Sequence, residues 1–260
     1  YKIFGFPDLG ALIVRKSVAR VFERRKYFGG GTVDMVLATG VQWHAKKETS
    51  IHERLEDGTL PFHNIIALDT ALDTHERLFG SMANISAHTE FLAKQVYDRL
   101  SSLAHFNERK VCQIYQPHTS TYGDSHTQGP IIAFNLCNSR GEWVPKTEVE
   151  KLATVQDLQI RTGSVCNPGG TASSLGWTGP ELRRHYSAGL RCGDNHDVLG
   201  GRPTGILRVS IGATTNMKDI DSLLNFVEEF YVEKSPPIVA LDPLTEDNEV
   251  VAPHFYVESL

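Results

Sequence analysis

The stretch Arg161-Thr162-Gly163-Ser164-Val165-Cys166-Asn167-Pro168-Gly169-Gly170 sets a lone thiol just after a β-type segment and just before a segment that reads as a helix. Free backbone N–H groups and the positive end of a helix dipole lower a cysteine's pKa below its usual value of about 8.5, which favours the nucleophilic thiolate. Taken alone, a single loop cysteine is more often inert than reactive. Its reading depends on what accompanies it.

The chain begins Tyr1-Lys2-Ile3-Phe4-Gly5-Phe6-Pro7-Asp8-Leu9-Gly10-Ala11-Leu12-Ile13-Val14, a lysine ahead of a glycine-punctuated turn and an apolar run. Desolvation in such a turn favours the neutral amine, the form that attacks an aldehyde to give a Schiff base. The plain alternative is a solvated terminal lysine.

Further stretches lie between these two. They are Tyr27-Phe28-Gly29-Gly30-Gly31-Thr32-Val33, Glu53-Arg54-Leu55-Glu56-Asp57-Gly58-Thr59-Leu60-Pro61-Phe62, and Cys192-Gly193-Asp194-Asn195 followed by Gly201-Arg202-Pro203-Thr204-Gly205-Ile206-Leu207-Arg208-Val209-Ser210. In this order and spacing the chain resembles the fold-type-I, class V aminotransferase group, and within it the molybdenum cofactor sulfurases, whose amino-terminal domain is cysteine-desulfurase-like.

The resemblance implies an α/β fold of the fold-type-I pyridoxal-phosphate transferases, with an incomplete large domain and a smaller carboxy-terminal α/β domain. It implies a cofactor-binding part over 1–105, a small domain carrying the sulfur-accepting cysteine over 106–234, and a linker with the first strand of a following MOSC-type domain over 235–260. That following domain would bind molybdenum cofactor. The chain then reads as an internal piece of a longer polypeptide, inactive alone, whose upstream cofactor-pocket residues lie before Tyr1.

By the same resemblance Lys2 carries pyridoxal phosphate and Cys166 accepts sulfur from L-cysteine as a persulfide, with alanine released. Arg208 clamps the substrate α-carboxylate, a task suited to a planar two-pronged donor. Thr59, beside Gly58, corresponds loosely to a residue that contacts cofactor phosphate across a homodimer. Arg161 either orients the thiol loop or forms an ion pair. The pattern departs in two places: Ser164 stands where relatives often have a second cysteine, and Asp8-Leu9-Gly10 is one residue shorter than the usual turn. Two other readings remain open at this point. One is a different pyridoxal-phosphate lyase or transaminase, with Cys166 incidental; the other is a truncated, non-catalytic remnant.

The 260 residues carry a formal net charge of −5, which argues against a generic nucleic-acid binder. No apolar run approaches the roughly 20 residues of a membrane span, and the visible start is not a signal peptide. The four cysteines, Cys112, Cys137, Cys166 and Cys192, form no Cys-x-x-Cys pair, so a reducing cytosol suits them better than a disulfide framework. Cys112 and Cys137 sit in strand-like apolar runs as structural thiols. Cys192 and His196 lie four apart with no second ligand pair, and no metal site is expected.

The spacing predicts a strand over 12–14, a short helix over 17–26, a strand-like run over 32–39 and helices over 61–79 and 81–105. Ile85, Leu92, Val96, Leu100 and Leu103 form the apolar stripe of the last. Strands follow over 111–115 and 130–137, a helix over 147–155, then a strand over 159–162. Thr178 and Glu181 suggest a capping box. A strand over 207–211 leads to a helix capped by Asn216, with Ile220, Leu223, Leu224, Val227, Phe230 and Tyr231 facing the core and a linker from Ser235 to Asn248 beyond it.

Overall fold

A computed structural model describes residues 9–191, 193–194 and 196–236. Lys2, Cys192, the 237–248 part of the expected linker and the strand expected at the carboxy terminus lie outside them. The chain divides into two compact units, Tyr1–Ile85 and Ser86–Leu260.

In the first unit a 3-10 helix covers Lys16–Arg24 and a hairpin joins β1 (Val33–Val36) to β2 (His44–Lys46). The helix α1 (Phe62–Phe79) follows Pro61, whose fixed φ suits a helix start, and stops at Gly80, φ 76°. Gly30 is required where it stands. Its φ is 57°, and a Cβ there would lie 2.3 Å from the Asp57 carbonyl oxygen, while the neighbouring Gly31 N–H donates to that same oxygen at 3.1 Å. Buried Phe28 lies under the Lys46 ammonium, 3.9 Å from the ring centroid.

The strand expected over 12–14 does not form. Leu12 and Ile13 are 76% and 95% exposed, and no described strand pairs with them to take their backbone hydrogen bonds.

The second unit is a four-stranded antiparallel sheet built from β3 (Cys112–Tyr115), β4 (Ile131–Leu136), β5 (Arg161–Gly163) and β8 (Ile206–Ser210), in spatial order β3-β4-β8-β5. The small hairpin of β6 (Val198–Leu199) and β7 (Arg202–Pro203) precedes β8. Because side chains alternate along a strand, Ile132, Phe134, Leu136 and Leu207 share one face. That face joins the core with α2 (Met82–Ser102), α3 (Lys146–Val155) and α6 (Met217–Tyr231), which contribute Leu92, Val96, Leu100, Val149, Ile220, Leu223 and Val227. Asn216 caps α6 as expected, accepting from the Lys218 N–H at 2.9 Å.

The core face of α6 needs one correction. Phe226 is 3% exposed, whereas Phe230 is 39% exposed, because Phe230 lies in the last turn and rests on Phe226, ring centroids 5.5 Å apart, with its outer face free.

Candidate active site

The opposite face of this sheet carries the candidate chemistry. Register places Tyr115 opposite Ala133, Ala133 opposite Arg208 and Arg208 opposite Arg161, so these four form one row across the sheet. Directly paired residues project to the same side. Two arginine side chains therefore leave the β8–β5 pair from neighbouring positions on one face. Arg208 is half-buried, and its Nε is buried with no hydrogen-bond partner. Among the described residues, no carboxylate lies within 4.0 Å of either guanidinium.

Cys166 stands beside this row. The Arg161 Nη2 donates toward the Cys166 Sγ at 3.7 Å. The thiol is held by a tight turn in which the Asn167 N–H donates to the Ser164 carbonyl at 2.8 Å, with φ of 48° at Val165 and 57° at Cys166. Two positive φ values at the centre of a turn suit Asn-Gly and not Val-Cys. A β-branched residue in that region is strained by about 1–2 kcal/mol.

Three contacts hold the turn against this strain. Val165 packs on Leu175, Trp177 and Ile206. The Thr171 hydroxyl donates to the Ser164 carbonyl at 3.1 Å. Asn167 caps α4 (Pro168–Ser174), its side chain accepting from the Gly170 N–H at 3.1 Å. Val165 thus faces inward and Cys166 faces solvent. At the entry to the turn Gly163, φ 90°, meets Gly205 so closely that a Cβ on Gly205 would lie 2.6 Å from the Gly163 Cα.

The other described thiols are poor nucleophiles. Burial, and secondarily Cys137, pushes the Cys112 thiol up to about 12. Burial likewise raises Cys137, against the lowering effect of Arg109. Neither is fully enclosed, yet both are held protonated. Cys166 is the exposed one of the three.

Behind the thiol turn lies a cavity of about 380 Å³ lined by Ser164, Thr171, Trp177, Tyr186 and Arg191 among others. Lys146 at its edge pairs with Asp197 at 2.7 Å, and the Thr147 hydroxyl also binds Asp197. The helix α5 (Gly179–Ser187) on its far side starts with the expected box: the Thr178 N–H and hydroxyl both donate to Glu181, at 2.8 and 2.7 Å. Arg202 closes on the other Glu181 oxygen at 2.5 Å.

The structure therefore brings Arg208, Arg161 and Cys166 together in the second unit. Thr59 lies in the first unit, exposed, with no hydrogen-bond partner among the described residues. Sequence reading alone does not find the Arg161–Arg208 pair or the anchoring of Val165. Both depend on strand register, and only the alternation of Arg161 and Gly163 about Thr162 hints at the face. Among the described residues no group of three or more His, Cys, Asp or Glu is placed to hold a metal ion.

The family follows from the match of the aminotransferase class-V model to residues 1–223. The chain belongs to that family. It is similar to the molybdenum cofactor sulfurase of Aspergillus niger, 65% identical over all of this chain and 32% of that protein, and to that of Neosartorya fischeri, 64% identical over all of this chain and 31% of that protein. The chain thus spans about a third of the length of these relatives. Among solved structures, the apo cysteine desulfurase of Thermococcus onnurineus NA1 matches with a TM-score of 0.53 at 18% identity, covering 79% of this chain and 39% of that one. The fold is the α/β fold of the fold-type-I enzymes.

Proposed function

We propose that the protein mobilises sulfur from L-cysteine, holding it as a persulfide on Cys166 for sulfuration of molybdenum cofactor. One observation carries this reading: the exposed thiol among the described cysteines stands within hydrogen-bond reach of one of two paired arginines that have no carboxylate partner among the described residues. A substrate carboxylate and a sulfur nucleophile are what such a face would take. The names of the Aspergillus and Neosartorya relatives support the choice of substrate and acceptor.

The donor chemistry fits the cofactor of this family. Lys2 would hold the aldehyde of pyridoxal phosphate, and the exposed, unpartnered hydroxyl of Thr59 suits a phosphate oxygen, contributed across a homodimer. The bound cofactor supplies an electron sink for the carbon next to the amine. The free Lys2 amine takes the Cα proton. Arg208 grips the carboxylate with two parallel N–H donors, fixing the substrate so that its sulfur lies before Cys166.

The Cys166 thiolate then attacks that sulfur. An S–S bond forms, the substrate C–S bond breaks, and its electron pair stays with the carbon fragment, which is protonated and leaves as alanine. Cysteine plus thiol gives alanine plus persulfide, with no outside oxidant. An exposed turn serves this step because the sulfur must next be handed on.

In this reading residues 1–105 belong to the cofactor-binding domain, 106–234 carry the sulfur-accepting cysteine, and 235–260 lead to a domain that holds the acceptor. We place the reaction in the cytosol, where free thiols persist. The test is made on the full-length protein supplied with L-cysteine. Lys2→Ala should lose the visible absorbance of the bound cofactor and release no alanine, whereas Cys166→Ser should keep the absorbance and stop sulfur transfer. A Lys2→Ala protein with unchanged absorbance would overturn the assignment.

A further inference from the structure

We propose that Arg161 is a positioning residue for the sulfur nucleophile: it shares one cationic row with Arg208 and holds the Cys166 sulfur on the side where Arg208 holds the carboxylate. The inference deepens the proposed function and rests on it for the identity of the second anion.

Like charges placed directly opposite one another on a sheet destabilise it. Arg161 and Arg208 are so placed, and nothing among the described residues relieves them with a carboxylate. The arginines that brace this molecule behave differently. Arg25 takes Asp57, Arg99 takes Asp221 and Arg202 takes Glu181, at 2.5, 2.6 and 2.5 Å. Arg161 reaches for sulfur instead, at 3.7 Å.

The carboxylate that does approach β5, that of Glu150, accepts from the Thr162 hydroxyl at 2.7 Å. Thr162 projects to the opposite face from Arg161, so Glu150 is engaged away from the row. What remains is a pair of cations without a carboxylate partner among the described residues. The sulfur of Cys166 meets one, and a substrate carboxylate would meet the other.

Adjacent placement on one row also sets direction. The turn that carries Cys166 leaves the thiol facing solvent, and the Arg161 guanidinium is its side-chain tether toward the sheet. Neutralising Arg161 would therefore leave the turn intact and loosen only the aim of the sulfur. A merely structural arginine would show neither effect.

The experiment uses the full-length protein and two variants, Arg161→Gln and Arg161→Lys, without added cysteine. Cys166 is alkylated with iodoacetamide at neutral pH and followed by peptide mapping. Arg161→Gln should react roughly fivefold more slowly, the scale of one exposed ion pair, and Arg161→Lys should recover part of the rate because the charge returns without the fork. Arg161→Lys should melt with the wild type, since Arg161 is exposed, and Arg161→Gln should melt no lower, since it relieves the like-charge pair. In turnover, Arg161→Gln should lower kcat for persulfide formation more than it raises KM for cysteine. Wild-type alkylation rates in Arg161→Gln would overturn the proposal. A slower rate in that variant, with no persulfide formed from cysteine by the wild type, would support the Arg161–Cys166 pairing while rejecting the proposed function.

Discussion

Val165 and Cys166 occupy the left-handed region at two successive non-glycine positions, and the packing of Val165 on Leu175, Trp177 and Ile206 is what keeps them there. The strain has a measurable sign. At an ordinary position glycine is less stable than alanine, but where φ is positive the order reverses, so Cys166→Gly should exceed Cys166→Ala in stability by about 1 kcal/mol. Equal stabilities in thermal or denaturant unfolding would show that the turn is relaxed. For Arg208, the orphaned Nε and half-burial argue for a bidentate anion contact. Arg208→Lys should therefore raise KM for cysteine, by about 1.5–3 kcal/mol of lost binding, with cofactor absorbance unchanged. Wild-type KM in that variant would remove Arg208 from the carboxylate. Sequence reading singles out Cys166 by its local setting and, through the resemblance, both Cys166 and Arg208 as candidates. Their grouping with Arg161 was not legible, because no short window of sequence encodes which residues face one another across β5 and β8.

Local signals carry far at the scale of elements wherever the hydrogen bonds are local. The box at Thr178 and Glu181 and the cap at Asn216 both form as read, since each needs only residues two or three positions apart. The run at 12–14 fails as a strand for the converse reason: a strand is defined by a partner, and no described strand is paired with it. The Glu181 box also carries a pH signature. The Thr178 hydroxyl and N–H, then Arg202, lower its carboxyl from 4.5 to about 2. A depressed acid contributes stability above its unfolded value and loses it as pH falls through the folded one. The stability gap between wild type and Glu181→Gln, present at pH 6, should therefore close between pH 4.5 and about 2, as read by thermal midpoints across that range. A gap that persists at low pH would mean that the box acts through shape and not charge. Beside it, the nearly enclosed Lys146–Asp197 pair fastens the segment before β6 to the start of α3, and Asp197→Ala should cost about 3 kcal/mol by leaving that lysine buried without its counter-charge.

The two units of the molecule differ in what they bury. The second has a continuous core beneath its four-stranded sheet, whereas the first buries Phe28 among its described large apolar side chains and leaves Ile65, Ile66, Leu72 and Leu78 of α1 accessible. Together with relatives about three times as long, this makes the full-length protein the proper subject of every functional assay. The class of fold was legible in the sequence because its motifs run the length of the chain, and the family match over residues 1–223 agrees. The central claim is that Cys166 is the sulfur-carrying residue, set in a strained turn beside two arginines, while burial holds Cys112 and Cys137 protonated. The direct measurement is to incubate the full-length protein with L-cysteine and to locate added sulfur by intact mass and peptide mapping. The account predicts one added sulfur, on the peptide containing Cys166, and none in Cys166→Ala. Sulfur found on Cys112, Cys137 or Cys192, or alanine released at the wild-type rate by Cys166→Ala, would contradict it.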